Sequence, residues 1–119
     1  MPPQNASIFL AEDDKGKISE IRGILEGSGH QIEKEVYDKY SALTFAKRIG
    51  KTAINVALVD SNLGFEWIDG RDGREILAEI KKQNPKIKTI GISRIDHLKT
   101  ANVEIVSDFK DLPAIIENL

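Results

Sequence analysis

Hydrophobic and polar positions along this chain follow two periods in turn, one suited to strands and one to helices. Ser7 to Ala11 is a continuous apolar run that reads as a buried strand. Lys15 to Gly27 then places Ile18, Ile21, Ile24 and Leu25 on one helical face, and Gly27-Ser28-Gly29 supplies the stop. Gln31 to Val36 alternates as a strand does, and Asp38 to Ile49 carries Ala42, Phe45, Ala46 and Ile49 at helical spacing before Gly50. Asn55 to Asp60 is a third strand, apolar enough to require cover on both faces. After a long loop, Ser61 to Asp72, a helix from Gly73 to Gln83 presents Ile76, Leu77 and Ile80 and ends at Asn84-Pro85. Ile87 to Ser93 reads as a fourth strand, Glu104 to Ser107 as a short fifth, and Leu112 to Leu119 as a last helix with Pro113 in its first turn.

Strands and helices in strict alternation predict an α/β fold, a doubly wound parallel sheet with helices on both faces. Right-handed crossovers leave few topologies, and the five-stranded, flavodoxin-like order 2-1-3-4-5 is the one expected. In that order strands one and three are neighbours and the chain reverses direction between them. Ligands bind at such a switch point, outside the carboxyl ends of the strands.

Acidic residues stand at that edge. Glu12, Asp13 and Asp14 follow the first strand, and Val56-Ala57-Leu58-Val59 ends on Asp60. Like charges crowded together are costly unless a cation shares the site, so Glu12, Asp13 and Asp60 are expected to converge on a metal. Asp14, directly before the first helix, reads instead as its N-cap.

Composition narrows the remaining possibilities. The 119 residues suit one domain, 1–119, and 40% hydrophobic content suffices for a core. No apolar run is long enough to span a bilayer, and Met1-Pro2-Pro3-Gln4-Asn5 lacks the pattern of a signal peptide, so a soluble cytoplasmic protein is expected. The absence of cysteine excludes disulfides and thiolate chemistry. His30 and His97 stand apart without metal-ligand spacing and read as surface or turn residues. A formal net charge of -2 with no block of one sign points away from nucleic acid and membrane, towards a protein or small-molecule partner.

The sequence resembles the receiver domains of two-component response regulators over nearly its whole length. The resemblance is carried by Ile8-Phe9-Leu10-Ala11-Glu12-Asp13-Asp14, by Val56-Ala57-Leu58-Val59-Asp60, by Asp72-Gly73 opening a helix, and by Thr89-Ile90-Gly91-Ile92-Ser93. It implies that Asp60 is the phosphoacceptor and that Glu12 and Asp13, with Asp60 and the backbone carbonyl of Asn62, hold Mg²⁺. Ser93 matches the hydroxyl that closes on the phosphoryl group. The implied partners are a histidine kinase or histidine phosphotransfer protein and a downstream protein target. The chain would be a monomer or weak homodimer, and a signalling phosphoacceptor rather than an enzyme. The chemistry suits those roles, since a carboxylate can attack phosphorus and hard oxygen ligands suit Mg²⁺.

Three departures from the family pattern stand in the sequence. Where a lysine usually ends the fifth strand the chain reads Val106-Ser107-Asp108-Phe109-Lys110. Lys110 comes late, and is either a solvated lysine at a helix start or one returned to the site by a shifted loop. Arg94 occupies a position that is usually small; it either swings to solvent or supplies the absent charge, with a guanidinium able to bind phosphate in bidentate fashion. Residues 94–102 are too few for an ordinary helix with its loops, so the fourth helix is expected to be shortened or missing. The loop after Asp60 is long for the family, and its Phe65, Trp67 and Ile68 either cover the shortened side of the sheet or form a partner patch.

Other classes fit less well. A flavodoxin-like cofactor binder would not place Glu12-Asp13-Asp14 where a phosphate must sit, and an Asp-x-Asp phosphotransferase is opposed by Asp60-Ser61-Asn62. The remaining alternative is a pseudo-receiver, an interaction module that works without phosphorylation.

Overall fold

A computed structural model describes residues 6–60, 71–92, 104–106 and 109–117. In chain order these form β1 (Ser7–Ala11), α1 (Lys15–Gly27), β2 (Gln31–Val36), α2 (Lys39–Ala46), β3 (Val56–Asp60), α3 (Arg71–Gln83), β4 (Lys88–Ile92), β5 (Glu104–Val106) and α4 (Leu112–Glu117). Short 3-10 turns at Ile49–Lys51 and Phe109–Asp111 precede β3 and α4. All strand pairs are parallel, and the sheet runs β2-β1-β3-β4-β5, as the sequence predicts.

The apolar strands are buried because both faces of the sheet are covered. Phe9 and Ala11 of β1 and Ala57 and Val59 of β3 face one core with Ala42, Ala46, Ile76, Leu77 and Ile80 of α2 and α3. Ile8, Leu10, Val56 and Leu58 face a second core with Ile18, Ile21 and Leu25 of α1 and Leu112 and Ile116 of α4. The period-two alternation of each strand thus feeds two cores at once, which is why β3 has no polar position before Asp60. Phe45 stacks on Phe9 with ring centroids 5.0 Å apart, fixing α2 to the sheet.

Local capping sets the helix limits. Asp14 caps α1 by accepting hydrogen bonds from the backbone N–H of Gly16 at 2.8 Å and of Lys17 at 3.1 Å, the cap role read from its position. At the other end Gly29 adopts φ 89°, a left-handed conformation that lets the chain turn directly into β2. The helix expected over Asp38 to Ile49 is shorter: Asp38 is its cap, bonded to Ser41, and α2 ends at Ala46. The end of α3 comes against Gly50, where a Cβ would lie 3.1 Å from the Gln83 carbonyl oxygen, and the chain meets it with a tight turn that still buries Ile49.

His30 corrects an expectation. It is buried, not a surface residue: Nδ1 accepts the Ala6 N–H at 3.0 Å, and Nε2 lies 4.0 Å from a Glu117 carboxylate oxygen. The expectations for His97, for the long loop with Phe65, Trp67 and Ile68, and for the fourth helix in 94–102 lie outside the described residues. Among the described residues no helix is long and apolar enough to cross a membrane.

Candidate functional site

β1 and β3 are adjacent, and the last residue of β1, Ala11, pairs with Val59. One step further along each chain stand Glu12 and Asp60. The Glu12 N–H donates to the Val36 carbonyl at 3.1 Å, so pairing with β2 continues past the end of β1 and holds Glu12 at the sheet edge. Asp60 is held by its pairing with Ile92 of β4. The sheet order therefore brings two carboxylates together at the switch point, and Asp13 joins them from the turn. One ligand oxygen from each of Glu12, Asp13 and Asp60 lies within 4.8 Å of the others.

Burial makes the cluster costly. Glu12 is fully enclosed and Asp60 is 8% exposed, while Asp13 faces outwards. Burial raises the Glu12 pKa from its ordinary 4.5 to about 8, with the nearby Asp60 charge and hydrogen bonding to Asp60 adding to the rise. The Asp14 N–H, which donates to Glu12 Oε1 at 3.2 Å, and the Lys17 charge act in the opposite direction. Glu12 Oε2 is buried with no hydrogen-bond partner among the described residues. Between two ionised carboxylates there is no donor, so that oxygen is satisfied only by a proton or by a cation.

Such a donor set fits a hard divalent cation. Carboxylate oxygens converging within a few ångströms, two of the three residues buried and one oxygen orphaned, match the oxygen ligands that Mg²⁺ takes, and its charge would offset both the burial and the Asp60 repulsion that raise Glu12.

Of the residues singled out from the sequence, Glu12, Asp13 and Asp60 are brought together. Asn62, Ser93 and Arg94 lie outside the described residues, as do Ser107 and Asp108. Lys110 is exposed in the 3-10 turn that leads into α4, a turn packed against α1. Lys17 was not singled out, although its place in the first turn after an acidic stretch was a usable signal: side chains there lean back towards the helix start.

No protein-family model and no curated protein sequence matches the chain. Solved structures do. The phosphorylated cyanobacterial phytochrome response regulator RcpA is 25% identical with a TM-score of 0.65, over 96% of this chain and 90% of that one. The receiver domain of a sensor histidine kinase from Pseudomonas aeruginosa, with a magnesium ion coordinated in its active-site cleft, is 20% identical with a TM-score of 0.76, over 96% of both chains. A response regulator receiver protein from Sinorhizobium medicae is 14% identical with a TM-score of 0.77, over 97% of this chain and 94% of that one.

Proposed function

We propose that this chain, which has the fold of response regulator receiver domains, is a cytoplasmic signalling phosphoacceptor that takes a phosphoryl group on Asp60 from a histidine kinase or histidine phosphotransfer protein. The observation that carries this reading is the convergence of Glu12, Asp13 and Asp60 around an orphaned buried oxygen at the switch point.

An Asp60 carboxylate oxygen attacks phosphorus and forms a P–O bond, while the bond from phosphorus to the donor nitrogen or oxygen breaks and its electron pair leaves with the donor. The product is an acyl phosphate. Glu12 and Asp13, with Asp60 and the Asn62 carbonyl, are the residues to hold Mg²⁺. When bound, that ion neutralises charge on the nucleophile and on the incoming phosphate. Asp60 is 8% exposed, so attack is confined to the open side of the cluster. Ser93, one residue beyond β4, offers a hydroxyl to the phosphoryl group; Arg94 beside it and Lys110 are further sources of positive charge.

Incubation of the purified chain with acetyl phosphate or phosphoramidate and Mg²⁺ tests the reading. Intact mass should show one added phosphoryl group, absent without Mg²⁺ and absent in Asp60→Asn. Labelling that persists in Asp60→Asn assigns another acceptor, and a parent chain that no donor labels is a pseudo-receiver.

A further inference from the structure

Along the chain no long block of one charge stands out, but folding brings two short basic segments together. Residues 47–56 contain Lys47, Arg48 and Lys51, residues 80–88 contain Lys81, Lys82, Lys86 and Lys88, and neither segment has an aspartate or glutamate. The two segments meet. A Cβ on Gly50 would lie 3.1 Å from the Gln83 carbonyl oxygen, the 3-10 turn at Ile49–Lys51 packs against α3, and the Lys88 N–H donates to the Asn55 carbonyl at 3.0 Å where β3 and β4 begin. This end of the sheet is opposite the one that holds Glu12, Asp13 and Asp60.

Helix ends account for part of this charge. Lys81 and Lys82 lie in the last turn of α3, where cations complement the helix dipole, and Lys81 Nζ donates to the Ile87 carbonyl at 3.3 Å. Lys47, Arg48, Lys51, Lys82, Lys86 and Lys88 are all exposed, and among the described residues none of them forms an ion pair. Carboxylates border the group without entering it: Glu79 accepts from Gln83 Nε2 at 2.7 Å, and Glu33 lines a cavity with Lys34 and Thr52. Unpaired cations gathered in this way repel one another, and an anionic partner relieves that repulsion.

The make-up of this end selects among anionic partners. Protein interfaces are depleted of lysine and anchored by aromatic or apolar groups, and amphipathic membrane binding sinks an apolar face among the lipids. Neither anchor is present here: among the described residues the exposed large hydrophobics are Tyr37 and Tyr40, which follow β2 and open α2 at the opposite end. A phosphodiester backbone requires only spaced cations. We propose that this end of the fold, from the turn after α2 across the end of α3 to the start of β4, binds the phosphate backbone of duplex nucleic acid without reading its sequence. The five residues of β3 span roughly 17 Å, about twice the screening length of exposed charges at physiological salt, so the acidic site does not cancel this surface. It also stays open when the surface is occupied.

The experiment titrates a short fluorescent DNA duplex of mixed sequence with the purified chain in metal-free buffer and follows anisotropy. With about four phosphates neutralised, the parent's affinity should fall roughly 100-fold between about 50 and 200 mM salt. Arg48→Gln with Lys51→Gln, and Lys82→Gln with Lys86→Gln, should each weaken binding by at least about 5-fold and flatten the salt dependence by about two in the log-log slope. Lys15→Gln with Lys17→Gln removes the same charge at the acidic end and should leave binding unchanged. A parent that does not bind at low salt, unchanged affinity in either basic pair, or an equal loss in the Lys15 and Lys17 pair would overturn the proposal. Binding to poly-glutamate, or to vesicles of phosphatidylserine and phosphatidylcholine, as tight as to the duplex would overturn it too, and would assign the surface to an acidic protein or to a lipid headgroup layer.

Discussion

Glu12 and Asp60 end neighbouring strands one step past the paired residues Ala11 and Val59, so two carboxylates share one buried position at the sheet edge. Parallel pairing in register leaves them no other place. The arrangement opposes stability in the free protein, and that cost is what a cation can recover.

The pH dependence of stability follows from this relationship. Glu12 has an ordinary pKa of 4.5 and about 8 in the folded chain, so the folded state binds its proton more tightly than the unfolded state does. Its contribution is therefore fully present below 4.5 and is lost as pH rises through about 8. In metal-free buffer the urea midpoint should fall across that interval, by an amount on the order of a few kcal/mol in stability. Glu12→Gln should flatten the slope. Mg²⁺ should restore stability most at the alkaline end, because it replaces the proton that is lost. A midpoint that rises over the same interval in the metal-free parent would contradict the assignment.

Asp60→Asn separates stability from function at the same position. It removes the Asp60 charge, which adds to the rise that burial causes in the Glu12 pKa, and leaves side-chain volume nearly unchanged. The metal-free variant should be more stable than the parent at pH 8 by roughly 1 kcal/mol, as when a strained functional site is relaxed. The Mg²⁺-dependent gain in stability should shrink along with phosphoryl labelling. Equal urea midpoints for the two chains in metal-free buffer would show that Asp60 does not burden the fold.

Much of this was legible in the sequence because it depends on short-range pattern. The run Val56-Ala57-Leu58-Val59 can be satisfied only between two covered faces, and Asp60 at its end could then lie only at the sheet edge. Features that depend on distant partners were not legible. Helical spacing continues to Ile49, but α2 ends at Ala46 and a 3-10 turn buries Ile49 instead, with Gly50 set against the Gln83 carbonyl 33 residues later in the chain, a neighbour that periodicity cannot register. His30 gives no sign of burial in its own surroundings, since its hydrogen-bond donor is the Ala6 amide.

Two glycines in different settings should respond oppositely to alanine. Gly23 lies inside α1, exposed, where a Cβ would meet nothing within 4 Å. Gly23→Ala should raise stability by about 0.5–1 kcal/mol through helix propensity and a less flexible unfolded chain. At Gly50 the same change sets a Cβ 3.1 Å from the backbone oxygen of Gln83, which cannot swing aside as a side chain would. Gly50→Ala should lower stability by about 1 kcal/mol or more, the cost of moving α3 off its seat. Thermal melts of both variants, scored against the parent, check the pair, and equal shifts of one sign would refute the packing argument at Gly50.

The last prediction concerns His30, at the end of the sheet opposite the acidic cluster. Its ring is buried, and Nδ1 accepts the Ala6 N–H at the entry to β1; Nε2, directed towards Glu117 of α4, therefore carries the ring proton. One side chain thus accepts the amide at the entry to β1, while its Nε2 is buried with no hydrogen-bond partner among the described residues. His30→Ala would leave the buried Ala6 amide without an acceptor and open a void, so stability should fall by about 2–4 kcal/mol. His30→Phe fills much of the volume and lacks the acceptor, which should recover part of the packing loss and leave a deficit of about 1–2 kcal/mol. Amide exchange locates the effect: the Ala6 N–H should lose protection in both variants, with the amides of Glu12 and Asp60 less affected. Full protection at Ala6 in His30→Phe would show that the ring serves this corner of the fold by volume alone.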